Sequence, residues 1–91
     1  MYQRQTTIIN ATGLHARPAA EFVAEAKKYA SKLTIRNLDK EEGEAANVKS
    51  ILRLLAQGLT KGTRVEICGE GEDETQAVDA LVALIESGFG E

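Results

Sequence analysis

Apolar residues change their spacing several times along this chain of 91 residues, and the alternation limits the folds open to it. Three segments repeat apolar residues at helical spacing: 16–29, 51–55 and 77–85. Four others are short and rich in strand-forming residues: 4–10, 33–36, 44–48 and 63–68. The resulting order, β-α-β-β-α-β-α, predicts an α+β fold in which helices cover one face of an antiparallel sheet. The opposite face of that sheet is expected to be open.

Residues 13–20 read Gly-Leu-His-Ala-Arg-Pro-Ala-Ala and contain the only histidine and the only proline of the chain. Gly13 permits a sharp turn, and Pro18, whose φ is preset near the helical value, marks the first turn of a helix. His15 is therefore expected at or beside the N-cap, where the first amides have no partner within the helix. Those amides and the helix dipole favour a bound anion such as phosphate.

The residues around this turn also suggest a chemistry. Pro18 has no N–H, so the free amides are expected to be those of Ala16 and Arg17, with Ala19 as a further candidate. The Arg17 guanidinium adds a fixed positive charge. A neutral imidazole is a nucleophile, so a phosphoryl group on His15 would be held by the same donors. The alternative is a polar N-cap histidine without chemistry beside a solvated arginine.

Composition excludes several classes of function. A net charge of −3 argues against a nucleic-acid binder, which normally carries a basic stripe. One cysteine cannot form an internal disulfide, no apolar run is long enough to span a membrane, and no signal-peptide pattern is present. With a single histidine and no ligand cluster, neither a metal nor a cofactor is expected. We therefore expect one cytoplasmic domain, 1–91, with a shallow site and protein partners, without membrane insertion.

The segment after Ser50 carries four large apolar residues within five positions. A helix this short cannot bury all four on one side, so we assign Leu54 to the core and the other three to an exposed surface beside His15. Residues flanking the histidine are expected to join that surface. The candidate docking residues are Thr12, Ala20, Ile51, Leu52 and Leu55.

Two further features have simple interpretations. Cys68 alternates in phase with Glu66, which predicts a place on the open face of the sheet and an incidental rather than reactive thiol. The acidic run 70–74 precedes the third helix, and its carboxylates are expected to cap that helix.

Together with Lys49-Ser50-Ile51 and the stretch 58–62, the octapeptide resembles the HPr family, the histidine-containing phosphocarriers of the bacterial sugar phosphotransferase system (PTS). The resemblance spans essentially the whole chain. It implies an open-faced β-sandwich, with strand order 1-4-2-3 and three helices. It also implies that His15 accepts a phosphoryl group on Nδ1 from enzyme I, charged by phosphoenolpyruvate, with help from Arg17. The group then passes to IIA components of sugar permeases, so the protein is a carrier and not an enzyme.

The resemblance also concerns Ser50. This residue matches a serine that HPr kinase modifies with ATP in many Gram-positive members, which then act with a catabolite-control transcription factor. Arg53 stands where kinase-binding members often have a small residue, and the connection 37–43 is longer and more acidic than usual. The simple interpretation of Ser50 is a helix N-cap. The alternative function is a regulatory module that binds partners through the Ser50 surface.

Overall fold

Four strands and three α-helices make up the computed structural model, which describes residues 1–91. The elements are β1 Tyr2–Thr7, α1 Ala16–Ala26, β2 Lys32–Asn37, β3 Ala46–Asn47, α2 Ile51–Ala56, β4 Arg64–Glu70 and α3 Glu74–Glu86. A 3₁₀ turn, Gly88–Gly90, follows α3. The strands form one antiparallel sheet in the order β1-β4-β2-β3. The fold class and strand order expected from the sequence are therefore confirmed.

Strand β4 lies inside the sheet and pairs on both sides. Its register runs from Gly69 opposite Tyr2 on β1, and from Glu70 opposite Lys32 on β2. Every second residue of β4 is buried against the helices, which is the period-2 pattern of a sheet covered on one face. None of the helices is long and apolar enough to cross a membrane.

One cluster of 19 buried apolar residues fills the space between the sheet and the helices. Its largest fully buried side chain is Phe22 of α1. On the other face of β4, Glu66 and Cys68 are only half-buried, so the predicted open face is confirmed. Partial burial raises the pKa of the Cys68 thiol, which favours its protonated form.

Several element boundaries differ from the sequence expectation. Helix α1 ends at Ala26 instead of Tyr29, because the Lys28 and Tyr29 amides bond to carbonyls only three residues back and tighten the chain into a turn. Strand β1 is Tyr2–Thr7 rather than 4–10, since the chain turns back at Asn10, whose carbonyl accepts the Gly13 N–H at 3.1 Å. The other shifts are in β2, β3 and β4, which were expected at 33–36, 44–48 and 63–68 and lie at Lys32–Asn37, Ala46–Asn47 and Arg64–Glu70.

Within the acidic run before α3, Glu74 lies in the first turn of the helix, as expected, but Asp73 does not cap the helix with its side chain. Asp73 is the N-cap residue, but its side chain makes no cap hydrogen bond. Its carboxylate instead accepts the backbone N–H groups of Ala30, at 2.9 Å, and Ser31, at 3.0 Å, together with the Ser31 hydroxyl. Within the turn between α1 and β2 these N–H groups have no backbone acceptor, and they lie beside the start of α3. Asp73 therefore joins two distant parts of the chain, and the cap expectation is wrong for this residue.

We expect Asp73→Ala to lower the melting temperature by about 5 °C at pH 7, since three donors lose their acceptor. These hydrogen bonds, the Ser31 hydroxyl first, lower the pKa of Asp73. The stabilisation is thus complete above the unfolded pKa, about 3.9, and is lost as pH falls through the lower folded value. Thermal unfolding from pH 7 to 2 should show the two proteins converging in acid. Glu72→Ala, at a neighbouring exposed carboxylate without hydrogen bonds, is the control and should unfold like wild type.

Candidate functional site at the start of helix α1

A tight turn at Gly13 carries the chain into α1. Gly13 is buried and has a φ of +68°, a conformation that glycine adopts without steric cost. A Cβ there would collide with the Leu59 carbonyl oxygen and come within 2.9 Å of the Thr60 Cα. The next residue, Leu14, is 1% exposed and donates its N–H to the same Leu59 oxygen at 2.8 Å. The residue before His15 is thus anchored in the core and to the segment that follows α2.

His15 is the N-cap of α1, as the octapeptide predicts. Its backbone is extended, with φ −130° and ψ 162°, and its imidazole makes no cap hydrogen bond. The residue is half-buried, so it is not enclosed within the core. The ring is therefore not committed to holding the helix end, in contrast to an ordinary polar N-cap.

The first two residues of α1 supply free hydrogen-bond donors. Ala16 has a φ of +49°, which costs a residue with a Cβ about 1 kcal/mol. The N–H groups of Ala16 and Arg17 have no acceptor within the protein, whereas Ala19 donates to the His15 carbonyl at 3.5 Å. The expected pair of free amides is present, and Ala19 does not join it. The exposed Arg17 side chain stands at the same helix end.

Helix α2 packs against α1 and presents apolar side chains to solvent. Leu52 is 77% exposed, Ile51 38% and Leu55 36%, while Leu54 is fully buried. The division of core and exposed residues therefore agrees with the sequence expectation. We call Ile51, Leu52 and Leu55 the α2 patch. Thr12 and Ala20, the other candidate docking residues, are also exposed.

Ser50 is the N-cap of α2, and its hydroxyl oxygen accepts the Arg53 N–H at 3.4 Å. Its carbonyl accepts the Leu54 N–H at 3.0 Å. The structural role expected for this serine is thus present. The hydroxyl donates to no acceptor, and the side chain is half-buried beside the α2 patch.

One residue near this site was missed from the sequence. The carboxylate of Glu91 accepts the Thr12 N–H at 3.2 Å and the Thr12 hydroxyl at 2.8 Å. These bonds, the hydroxyl first, lower the pKa of Glu91 and keep it charged. The two residues are 79 positions apart, and no spacing pattern connects them. Only the tertiary structure brings them together.

Comparison with known proteins agrees with this geometry. A family model described as the PTS HPr component phosphorylation site matches residues 2–87. Phosphocarrier protein HPr of Haemophilus influenzae is 47% identical over 85 residues, which cover 93% of this chain and 95% of that protein. The multiphosphoryl transfer protein of the same organism is 46% identical over 85 residues, but the chain spans only 17% of that protein's length.

The structural comparison gives the same result. The crystal structure of an HPr from Thermoanaerobacter tengcongensis matches with a TM-score of 0.91 at 43% identity, covering 100% of this chain and 98% of that one. The family match extends over nearly the whole chain and includes the turn, the histidine and both following amides. This chain belongs to the HPr phosphocarrier family of the phosphotransferase system.

Proposed function

We propose that this protein carries a phosphoryl group on His15, which it accepts from enzyme I charged by phosphoenolpyruvate and delivers to IIA components of sugar permeases. The observation that supports the proposal is the uncommitted imidazole at the N-cap of α1, beside the free amides of Ala16 and Arg17. In this role the protein is a stoichiometric carrier, which is phosphorylated and then dephosphorylated in each cycle, rather than a catalyst.

The proposed reaction is an in-line transfer in both directions. During charging, an imidazole nitrogen of His15, Nδ1 by analogy with the family, attacks phosphorus while the bond from phosphorus to the donor protein breaks. During delivery the same nitrogen is the leaving group. The amides of Ala16 and Arg17 can bond phosphoryl oxygens, and the Arg17 guanidinium can offset charge that develops during transfer. These few donors would hold the phosphoryl group firmly enough to survive diffusion between two partner proteins, yet weakly enough to allow its transfer.

Labelling tests the proposal directly. The protein is incubated with enzyme I and phosphoenolpyruvate, and intact mass is measured after acid and after base treatment. We expect one added phosphate that is labile in acid and stable in base, as a phosphoramidate is. A wild-type protein that gains no phosphate under conditions that charge another HPr would contradict the proposal and favour the regulatory alternative.

The α2 patch is proposed to dock the partner proteins. Replacing Leu52 by glutamate is expected to slow phosphoryl transfer from enzyme I by about tenfold, because a central apolar contact is exchanged for a charge. Since 77% of the Leu52 side chain is exposed, stability should barely change. Stopped-flow or quench kinetics with varied enzyme I concentration would place the loss in binding rather than in the chemical step.

Ala83→Glu is the matched control for this variant. It adds the same charge at an exposed position of α3, outside the α2 patch. Transfer at wild-type rate in Ala83→Glu and a loss only in Leu52→Glu would support docking through α2. Equal rates in both variants would remove Leu52 from the docking surface.

A regulatory phosphate on Ser50 is a second proposal. It is favoured by the free hydroxyl proton of Ser50 and by its position immediately before the α2 patch. A phosphate there would place negative charge within the docking surface and oppose acidic partners. Incubation with ATP and HPr kinase, followed by intact mass, tests it. An acid-stable phosphate absent from Ser50→Ala would support regulation, whereas no mass change would leave Ser50 as an N-cap alone.

A further inference from the structure

The segment after α3 folds back toward the loop that precedes His15. All three residues of Gly88–Gly90 have positive φ, with values of 72°, 57° and 78°. The Phe89 ring packs edge-on against Phe22 of α1, with ring centroids 6.4 Å apart. This aromatic contact fixes the direction in which the chain leaves the turn. The segment therefore has a defined position against α1.

Glu91 is joined to the loop by a cluster of hydrogen bonds. Its carboxylate accepts the Thr12 N–H at 3.2 Å and the Thr12 hydroxyl at 2.8 Å. It also accepts the side-chain amide of Asn10 at 3.3 Å. One carboxylate thus holds both ends of a three-residue stretch. Charge-assisted bonds of this kind are stronger than those between neutral groups.

Asn10 transmits this restraint to the turn before His15. Its side chain is 3% exposed, and its Nδ2 also donates to the Gly13 carbonyl at 2.8 Å. The Gly13 N–H in turn donates to the Asn10 carbonyl at 3.1 Å. The buried Oδ1 of Asn10 has no partner, so the orientation of this side chain depends on the bonds that Nδ2 makes. Removing the Glu91 carboxylate removes one of these Nδ2 hydrogen bonds.

The loop is consequently held from two sides. Leu59 fixes the Gly13–Leu14 segment through backbone contact on the α2 side, and Glu91 fixes Thr12 on the other. His15 follows directly, and its orientation relative to the free amides of α1 depends on this short segment. A displacement of about 1 Å in such a segment can cost a transfer reaction about 100-fold in rate.

We propose that Glu91 is a positioning residue for phosphoryl transfer at His15, acting through its hydrogen bonds to Thr12 and Asn10. The inference rests on the proposed carrier function and adds to it a residue far away in the sequence. Glu91 does not touch the phosphoryl group. It reduces the range of loop conformations. The imidazole is therefore already oriented relative to the amides of Ala16 and Arg17 before a partner protein binds.

Glu91→Ala should reduce the rate constant for transfer from enzyme I by about tenfold, whereas Glu91→Gln, whose side-chain oxygen can still accept from Thr12, should keep most of the rate. The matched control is Glu86→Ala, because Glu86 also accepts a threonine hydroxyl, that of Thr6, at 3.1 Å. It should transfer at the wild-type rate.

Hydrogen exchange supplies a readout that does not depend on transfer. The Thr12 amide should exchange faster in Glu91→Ala and remain protected in Glu86→Ala. If wild type labels normally and Glu91→Ala transfers as fast as Glu86→Ala, the positioning role is overturned while the carrier function stands. A wild type that fails to label would overturn both proposals together.

Discussion

Replacing His15 by alanine is expected to reduce phosphate incorporation from enzyme I and phosphoenolpyruvate by more than about 100-fold, to background. His15 is the only histidine of the chain, so no second imidazole can take over the group. The imidazole makes no cap hydrogen bond, and its removal should leave the fold and the melting temperature close to those of wild type. Intact mass after labelling, together with circular dichroism, measures both properties on the same sample.

Arg17→Ala provides the informative comparison for this variant. It leaves the nucleophile in place and removes the charge beside it, so it should still label fully but more slowly. A His15→Ala protein that is folded and still acquires a phosphate from enzyme I would show that the acceptor is another residue. Mapping that phosphate to Ser50 would support the regulatory alternative.

Local sequence signals were sufficient to place the candidate site. A glycine that permits positive φ, followed five residues later by a proline, specifies a turn and a helix start without reference to the rest of the chain. The free amides at Ala16 and Arg17 follow from helix geometry alone. The strand order was less accessible, since periodicity gave the elements and one covered face but the order 1-4-2-3 came from the family resemblance.

Features that depend on distant partners could not be predicted in this way. Helix α1 was expected to reach Tyr29, yet the Tyr29 carbonyl accepts the Lys49 ammonium at 2.7 Å after the helix has ended. The Asp73 carboxylate bonds to Ser31, 42 positions away, instead of to its own helix. In each case the chain offers several local acceptors and donors of similar quality, and the packing of α1, β2 and α3 decides which of them meet.

Replacing Gly13 by alanine should be the most damaging single change that leaves all reactive side chains intact. The residue would have to keep φ near +68° and also accommodate a Cβ against the Leu59 carbonyl oxygen. We expect a loss of about 2–4 kcal/mol in the free energy of unfolding, from the left-handed conformation and the backbone collision together. Because the turn must move, His15 would be displaced, and transfer from enzyme I should fall by about 100-fold in the folded protein.

Gly62→Ala separates the two causes. Gly62 also has a positive φ, +90°, but a Cβ there meets nothing within 4 Å. It should therefore show only the conformational cost, about 1 kcal/mol, and retain the wild-type rate of transfer. Urea unfolding and labelling kinetics of both variants make the comparison. If Gly13→Ala were no less stable than Gly62→Ala and equally fast, contact with Leu59 would not set the position of His15, and the close packing of that loop would have no part in the reaction.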